Sequence, residues 1–130
     1  IASQVVAGVM GAMVASNVLM PDGEVGPLVM DTGPAFGAEL LFTFALAYVI
    51  LNVATSESTD GNGYYGAAIA FVVLAGALTV GPISGASFNP AVTASLISAG
   101  VMGVADSWVH LVPQLIGGVL AALVFNAQRD

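Results

Sequence analysis

The sequence predicts an all-α membrane protein, an inverted-repeat helical bundle of four full spans plus one re-entrant half-helix. Three observations predict it. Only 7% of the 130 residues are charged, 58% are apolar and the mean hydropathy is +0.97, whereas a soluble domain carries roughly 25% charged residues. From Gly61 to Ala105 the chain carries no charge at all, a stretch more than twice the roughly 20 residues that one span requires. Finally, QVVAGVMGAMV from Gln4 matches QLIGGVLAALV from Gln114 without a gap.

The charges divide the chain. Residues 1–20 are uncharged and form the first expected span, in which Gly8 with Ala12 and Gly11 with Ala15 give the small-xxx-small spacing that lets membrane helices approach closely. Residues 21–34 hold three acids, three glycines and three prolines and read as an extramembrane loop. Residues 35–54 are a second span with one acid inside it, Glu39, and 55–63 a second polar loop. Residues 64–80 suit a third span with interfacial tyrosines at its start. Gly81-Pro82 is expected to break that helix, because proline removes a donor and restricts the residue before it. Asn89-Pro90 then reads as a helix start, Asn at the cap and Pro in the first helical position, and Gly100 as its stop. About ten residues rise about 15 Å, half the hydrocarbon thickness. Segment 81–100 is therefore a re-entrant loop and half-helix, whose irregular backbone requires protein or water around it. Residues 107–126 are the last span, with Trp108 and His110 placed near an interface.

Four spans put both ends on one side, and Arg129, the only basic residue, points to a cytoplasmic C-terminus. If the interval from Gln4 to Gln114 is a repeat period, each unit holds three spans, so successive units insert in opposite directions. The chain then holds one unit plus the final helix of an earlier one, as a fragment lacking on the order of 90 residues upstream. The composition excludes other classes. With no lysine and one arginine there is no surface for nucleic acid. With no cysteine and one histidine, no disulfide framework or metal site is expected. No nucleophile, base and orienting group stand together, so neither an enzyme nor a cofactor is expected.

The string GPISGASFNPAVTASL, residues 81–96, resembles the Asn-Pro-Ala loop of the aquaporin and glycerol-facilitator family, and AELLFTFALAYVI from Ala38 is similar to that family's fourth helix. Residues 1–16 resemble its third helix and 108–125 its sixth. The resemblance implies a pore for water and small neutral solutes, set in a lipid bilayer as a homotetramer, with a half-helix entering from each side. It implies that Asn89, Pro90 and Ala91 form the pore motif and that the carbonyls of Gly85, Ala86, Ser87 and Phe88 line the path as acceptors. It assigns the narrow filter to Ala77, Ala86 and Val92. The family's second loop usually carries Arg after its Asn-Pro-Ala, where Val92 stands here, and strict water channels carry His where Ala77 stands. A wide, apolar filter is therefore expected, open to small neutral solutes. Without the Arg, cation exclusion falls more heavily on the half-helix dipoles.

Glu39, Gln4 and Gln114 are expected to be buried polar side chains that support the loop. Other readings remain at this level: Glu39 as the carrier of a proton- or ion-coupled transporter, or a structural membrane protein that does not conduct. The repeat also makes a prediction. Sequencing the complete transcript should reveal an Asn-Pro-Ala-like loop whose Asn precedes Gln4 by the same interval that separates Asn89 from Gln114. A continuous apolar helix there would refute the repeat.

Overall fold

The computed structural model describes residues 2–23 and 26–128; Arg129, on which the expected orientation rests, lies outside them. Helix α1 runs Ala2–Val14 and continues as a π-helical turn over Ala15–Leu19. Helix α2 is Thr32–Ala54, α3 Tyr65–Ser84, α4 Pro90–Ser98 and α5 Trp108–Ala127. Among the described residues, four segments are long and apolar enough to cross a membrane: Ala2–Leu19, Thr32–Ala54, Tyr65–Ser84 and Val104–Ala127. The remaining helix, α4, has nine residues and rises about 14 Å, half a bilayer core.

One boundary differs from expectation in an informative way. Gly81-Pro82 does not end α3, which continues to Ser84. Pro82 removes a single backbone bond near the end of the helix, and apolar surroundings favour keeping the bonds that remain. The stop is Gly85, whose φ of +78° is left-handed and whose N–H bonds Gly81 O at 2.8 Å. α2 starts at Thr32, slightly ahead of the expected span, with Pro34 in its first turn.

α2 lies along α5, and α3 packs against α2. Gly117 of α5 makes the α2–α5 approach possible: a Cβ there would stand 2.6 Å from Leu40 O and 3.0 Å from Phe44 N. α1 packs on α4 through Gly8, where a Cβ would meet Ser95 Oγ at 2.4 Å and Ala91 O at 2.9 Å, and Ala12 one turn on is buried. Of the two small-residue pairs, Gly8–Ala12 makes the contact. A Cβ on Gly11 would meet nothing.

The interior is unusual in kind. The largest fully buried side chains are His110, Glu39, Thr93, Pro113 and Ser84. Large apolar side chains such as Phe71, Leu74 and Leu78 instead face outward from α3, as expected where lipid, not water, is the solvent. An apolar cluster of Ala38, Val80 and Phe88, with Phe42, Leu46 and Ala86 around it, seals one side of the polar centre. The Phe42 and Phe88 rings stack with centroids 5.3 Å apart.

Gly117→Val should force α2 from α5 against backbone atoms that cannot yield, at an overpacking cost of about 1–3 kcal/mol. The unfolding temperature of the detergent-solubilised protein should fall by several degrees, while Gly66→Ala, in the open first turn of α3, should leave it unchanged.

Candidate functional site: a re-entrant loop held by a buried carboxylate

The site is built around the N-terminus of α4. Asn89 is its N-cap in extended conformation (φ −153°, ψ 128°); its Oδ1 accepts from Ala91 N at 2.9 Å and its carbonyl from Thr93 N at 3.0 Å. Pro90, with no N–H to leave unpaired, takes the first helical position. The other end closes on Gly100 at φ +74°, with Gly100 N donating to Ile97 O and Val101 N to Leu96 O, the two bonds of a Schellman motif. The Asn89 amide nitrogen has no partner among the described residues.

Between Gly85 and Asn89 the chain is irregular and strained. Ala86 and Phe88 have φ of 51° and 52°, a left-handed region that costs a non-glycine residue on the order of 1–3 kcal/mol. Such a backbone persists only where its surroundings fix it, and Glu39 fixes it. The carboxylate is completely buried. Oε1 accepts from Ser84 Oγ at 2.8 Å and Ser87 N at 2.9 Å; Oε2 accepts from Phe88 N and Gln114 Nε2, both at 2.8 Å. Four donors and no acceptor around two oxygens suit a carboxylate, which only accepts. The same need for a donor fixes which end of the Gln114 amide faces it. A second layer ties the loop to α4: Ser87 Oγ and Thr93 Oγ1 are 2.7 Å apart, both reach Asn89 O, and Gln114 Nε2 lies 3.1 Å from Thr93 Oγ1. Ser84 Oγ also accepts from Ala86 N at 3.2 Å.

The carbonyls of Gly85, Ala86, Ser87 and Phe88 accept no hydrogen bond within the described residues. Four successive unpartnered acceptors thus lead up to the free amide of Asn89. Ala77 and Val92 are exposed and Ala86 is half-buried.

Two residues depart from expectation. Gln4 is exposed and unbonded among the described residues. Its repeat mate Gln114 is buried because α2 supplies it with a carboxylate, and no described segment supplies one to Gln4. His110 is not interfacial: it is wholly buried, and its Nε2 lies 2.6 Å from Ser84 O. It sits on the side of α5 opposite exposed Trp108 and one turn before Gln114. That i, i+4 spacing to a polar residue is the signal the sequence offered.

Span-length helices around a half-span helix, with its loop gripped by an intramembrane carboxylate, define a polytopic helical membrane protein with a re-entrant segment. The chain belongs to the major intrinsic protein family, whose model matches residues 1–125. It is 31% identical over 135 residues to a probable aquaporin NIP-type of Nicotiana alata, covering 97% of this chain and 48% of that protein. It is 38% identical over 96 residues to nodulin-26 of Glycine max, covering 73% and 34%. To aquaporin NIP1-1 of Zea mays it is 35% identical over 134 residues, covering 96% and 46%. The chain thus spans between a third and a half of the length of these relatives. No solved structure matches it.

Glu39→Gln keeps the shape and replaces one acceptor oxygen by an NH2 group facing two donors. Losing two hydrogen bonds to a charged group should lower stability by about 3 kcal/mol or more, read as a drop in the equilibrium unfolding midpoint, and should abolish the loop's fixed conformation. An unchanged midpoint would show that the carboxylate does not hold the loop.

Proposed function

We propose that the complete protein is a passive channel for water and small neutral solutes, of which this chain supplies one half-helix and its supporting spans. The observation that carries this reading is the row of four unpartnered carbonyls, Gly85 to Phe88, ending at the unpartnered amide of Asn89 on a half-helix N-terminus. Acceptors in a row bind the hydrogens of successive water molecules, and the Asn89 amide donates to a water oxygen where the half-helix begins. The helix N-terminus carries roughly half a positive charge, which opposes the passage of cations and protons. Glu39 acts as an anchor, not a carrier, because both its oxygens are already occupied by the loop.

The second half-helix comes from sequence upstream of this chain. α1 packs on α4 through Gly8 and Ala12; their repeat mates, Gly118 and Ala122, line an apolar cavity of about 370 Å³ beside Pro90 and Gln114. A Cβ on Gly118 would meet nothing. The repeat fills this cavity with the counterpart of α4. By the same relation Gln4 bonds the counterpart of Glu39, an acid as far upstream of Gln4 as Glu39 is of Gln114. The family relationship supports assembly as a homotetramer in the bilayer. The lone Arg129 supports a cytoplasmic C-terminus.

Ala77, Ala86 and Val92 form a filter that is wide and apolar. Vesicles containing the full-length protein should swell osmotically faster than empty ones, with glycerol and urea admitted as well as water. Val92→Arg should cut glycerol flux at least several-fold more than water flux. Swelling no faster than that of empty vesicles would contradict the channel, and equal loss of both fluxes would contradict the wide filter.

A further inference from the structure

We propose that His110 is a positioning residue that sets where the row of pore-lining carbonyls begins. This rests on the channel reading above and adds to it a role for a side chain that never meets the solute. His110 is wholly buried on α5, and its Nε2 lies 2.6 Å from the carbonyl oxygen of Ser84, the last residue of α3. A carbonyl only accepts, so Nε2 carries the proton and donates. Nδ1 is buried with no partner among the described residues, so no acceptor stands there for a proton on that nitrogen. Glu39 Oε1 is 3.8 Å from Nε2, too far for a hydrogen bond, and the Nε2 of Gln114, one turn along α5, donates to Glu39 and Thr93 instead. Ser84 O is thus the sole hydrogen-bond partner of the His110 ring among the described residues.

The position of that carbonyl gives the bond its consequence. The last carbonyls of a helix lack intrahelical partners, and α3 ends inside the protein. His110 turns the Ser84 carbonyl inward, while the next four, Gly85 to Phe88, accept nothing within the described residues. The bond therefore separates the backbone used by the fold from the backbone left to the solute. Without it, a buried acceptor would be unsatisfied. The peptide between Ser84 and Gly85 would then be held only by the Gly85 N–H bond to Gly81 O, and its carbonyl would tilt toward the water-filled path, about the one residue there whose φ of +78° already belongs to glycine. The first carbonyl of the row would shift, and so would Ala86, the filter residue that follows Gly85.

The test uses the full-length protein in proteoliposomes. His110→Phe keeps a flat ring and removes the donor; His110→Gln keeps a donor at similar reach. His110→Phe is expected to assemble normally, to lose several-fold in water flux per channel and to raise the ratio of glycerol to water flux, with His110→Gln restoring both toward wild type. Nitrogen NMR of the imidazole in the wild-type protein should show a proton on Nε2. Wild-type flux and ratio in His110→Phe, or equal losses in both variants, would overturn the inference. So would a ring with its proton on Nδ1 alone, whether or not His110→Phe folds. Wild-type vesicles that fail to swell would overturn the channel reading and this inference with it, whereas normal wild-type swelling with an unaffected His110→Phe overturns this inference alone.

Discussion

The carboxylate of Glu39 takes four hydrogen bonds, two from backbone N–H groups of a loop that has no secondary structure of its own. Within an apolar medium a backbone N–H without a partner costs several kcal/mol, so a loop at membrane depth needs an acceptor brought to it. Ser87 and Phe88 find theirs on a neighbouring helix. A single residue on α2 thereby substitutes for the ladder of bonds that a helix or sheet would provide. Its own burial is compensated by the same four donors.

The rest of the architecture follows from that arrangement. Because the N–H groups of Ser87 and Phe88 are directed at Glu39, their carbonyls are free to face elsewhere, and the left-handed backbone of Ala86 and Phe88 becomes sustainable. α4 then starts at Asn89 with its N-terminus inside the bundle. Gln114 and Thr93 join the anchored loop to α5 and α4, and Gly117 lets α5 come close enough to α2 for Gln114 to reach Glu39. The polar centre is therefore surrounded by close backbone contacts, and large apolar residues are left to the outer faces.

Much of this is legible in the sequence. The distribution of the few charged residues delimits the spans, and the uncharged stretch from Gly61 to Ala105 is too long for one span, which exposes the re-entrant segment. Asn89-Pro90 and Gly100 mark the ends of α4 because capping is local chemistry. What stays hidden depends on distant partners. Pro82 reads as a helix stop, but a proline this near the end of a helix costs only one bond, and Gly85 is the true stop. His110 gives little sign of its role, since its partner is a backbone carbonyl on another helix. Gln4 and Gln114 are equivalent in sequence and differ in surroundings, because only Gln114 has a carboxylate beside it here.

The anchoring of the loop is tested most directly by amide hydrogen exchange in the full-length protein, resolved at Ser87 and Phe88. If Glu39 holds the loop, both amides exchange as slowly as those in the middle of α2, and Glu39→Gln speeds both by at least tenfold, corresponding to about 1.4 kcal/mol or more of lost protection. Wild-type Ser87 and Phe88 amides that exchange as fast as those of the polar loop at residues 55–63 would contradict it.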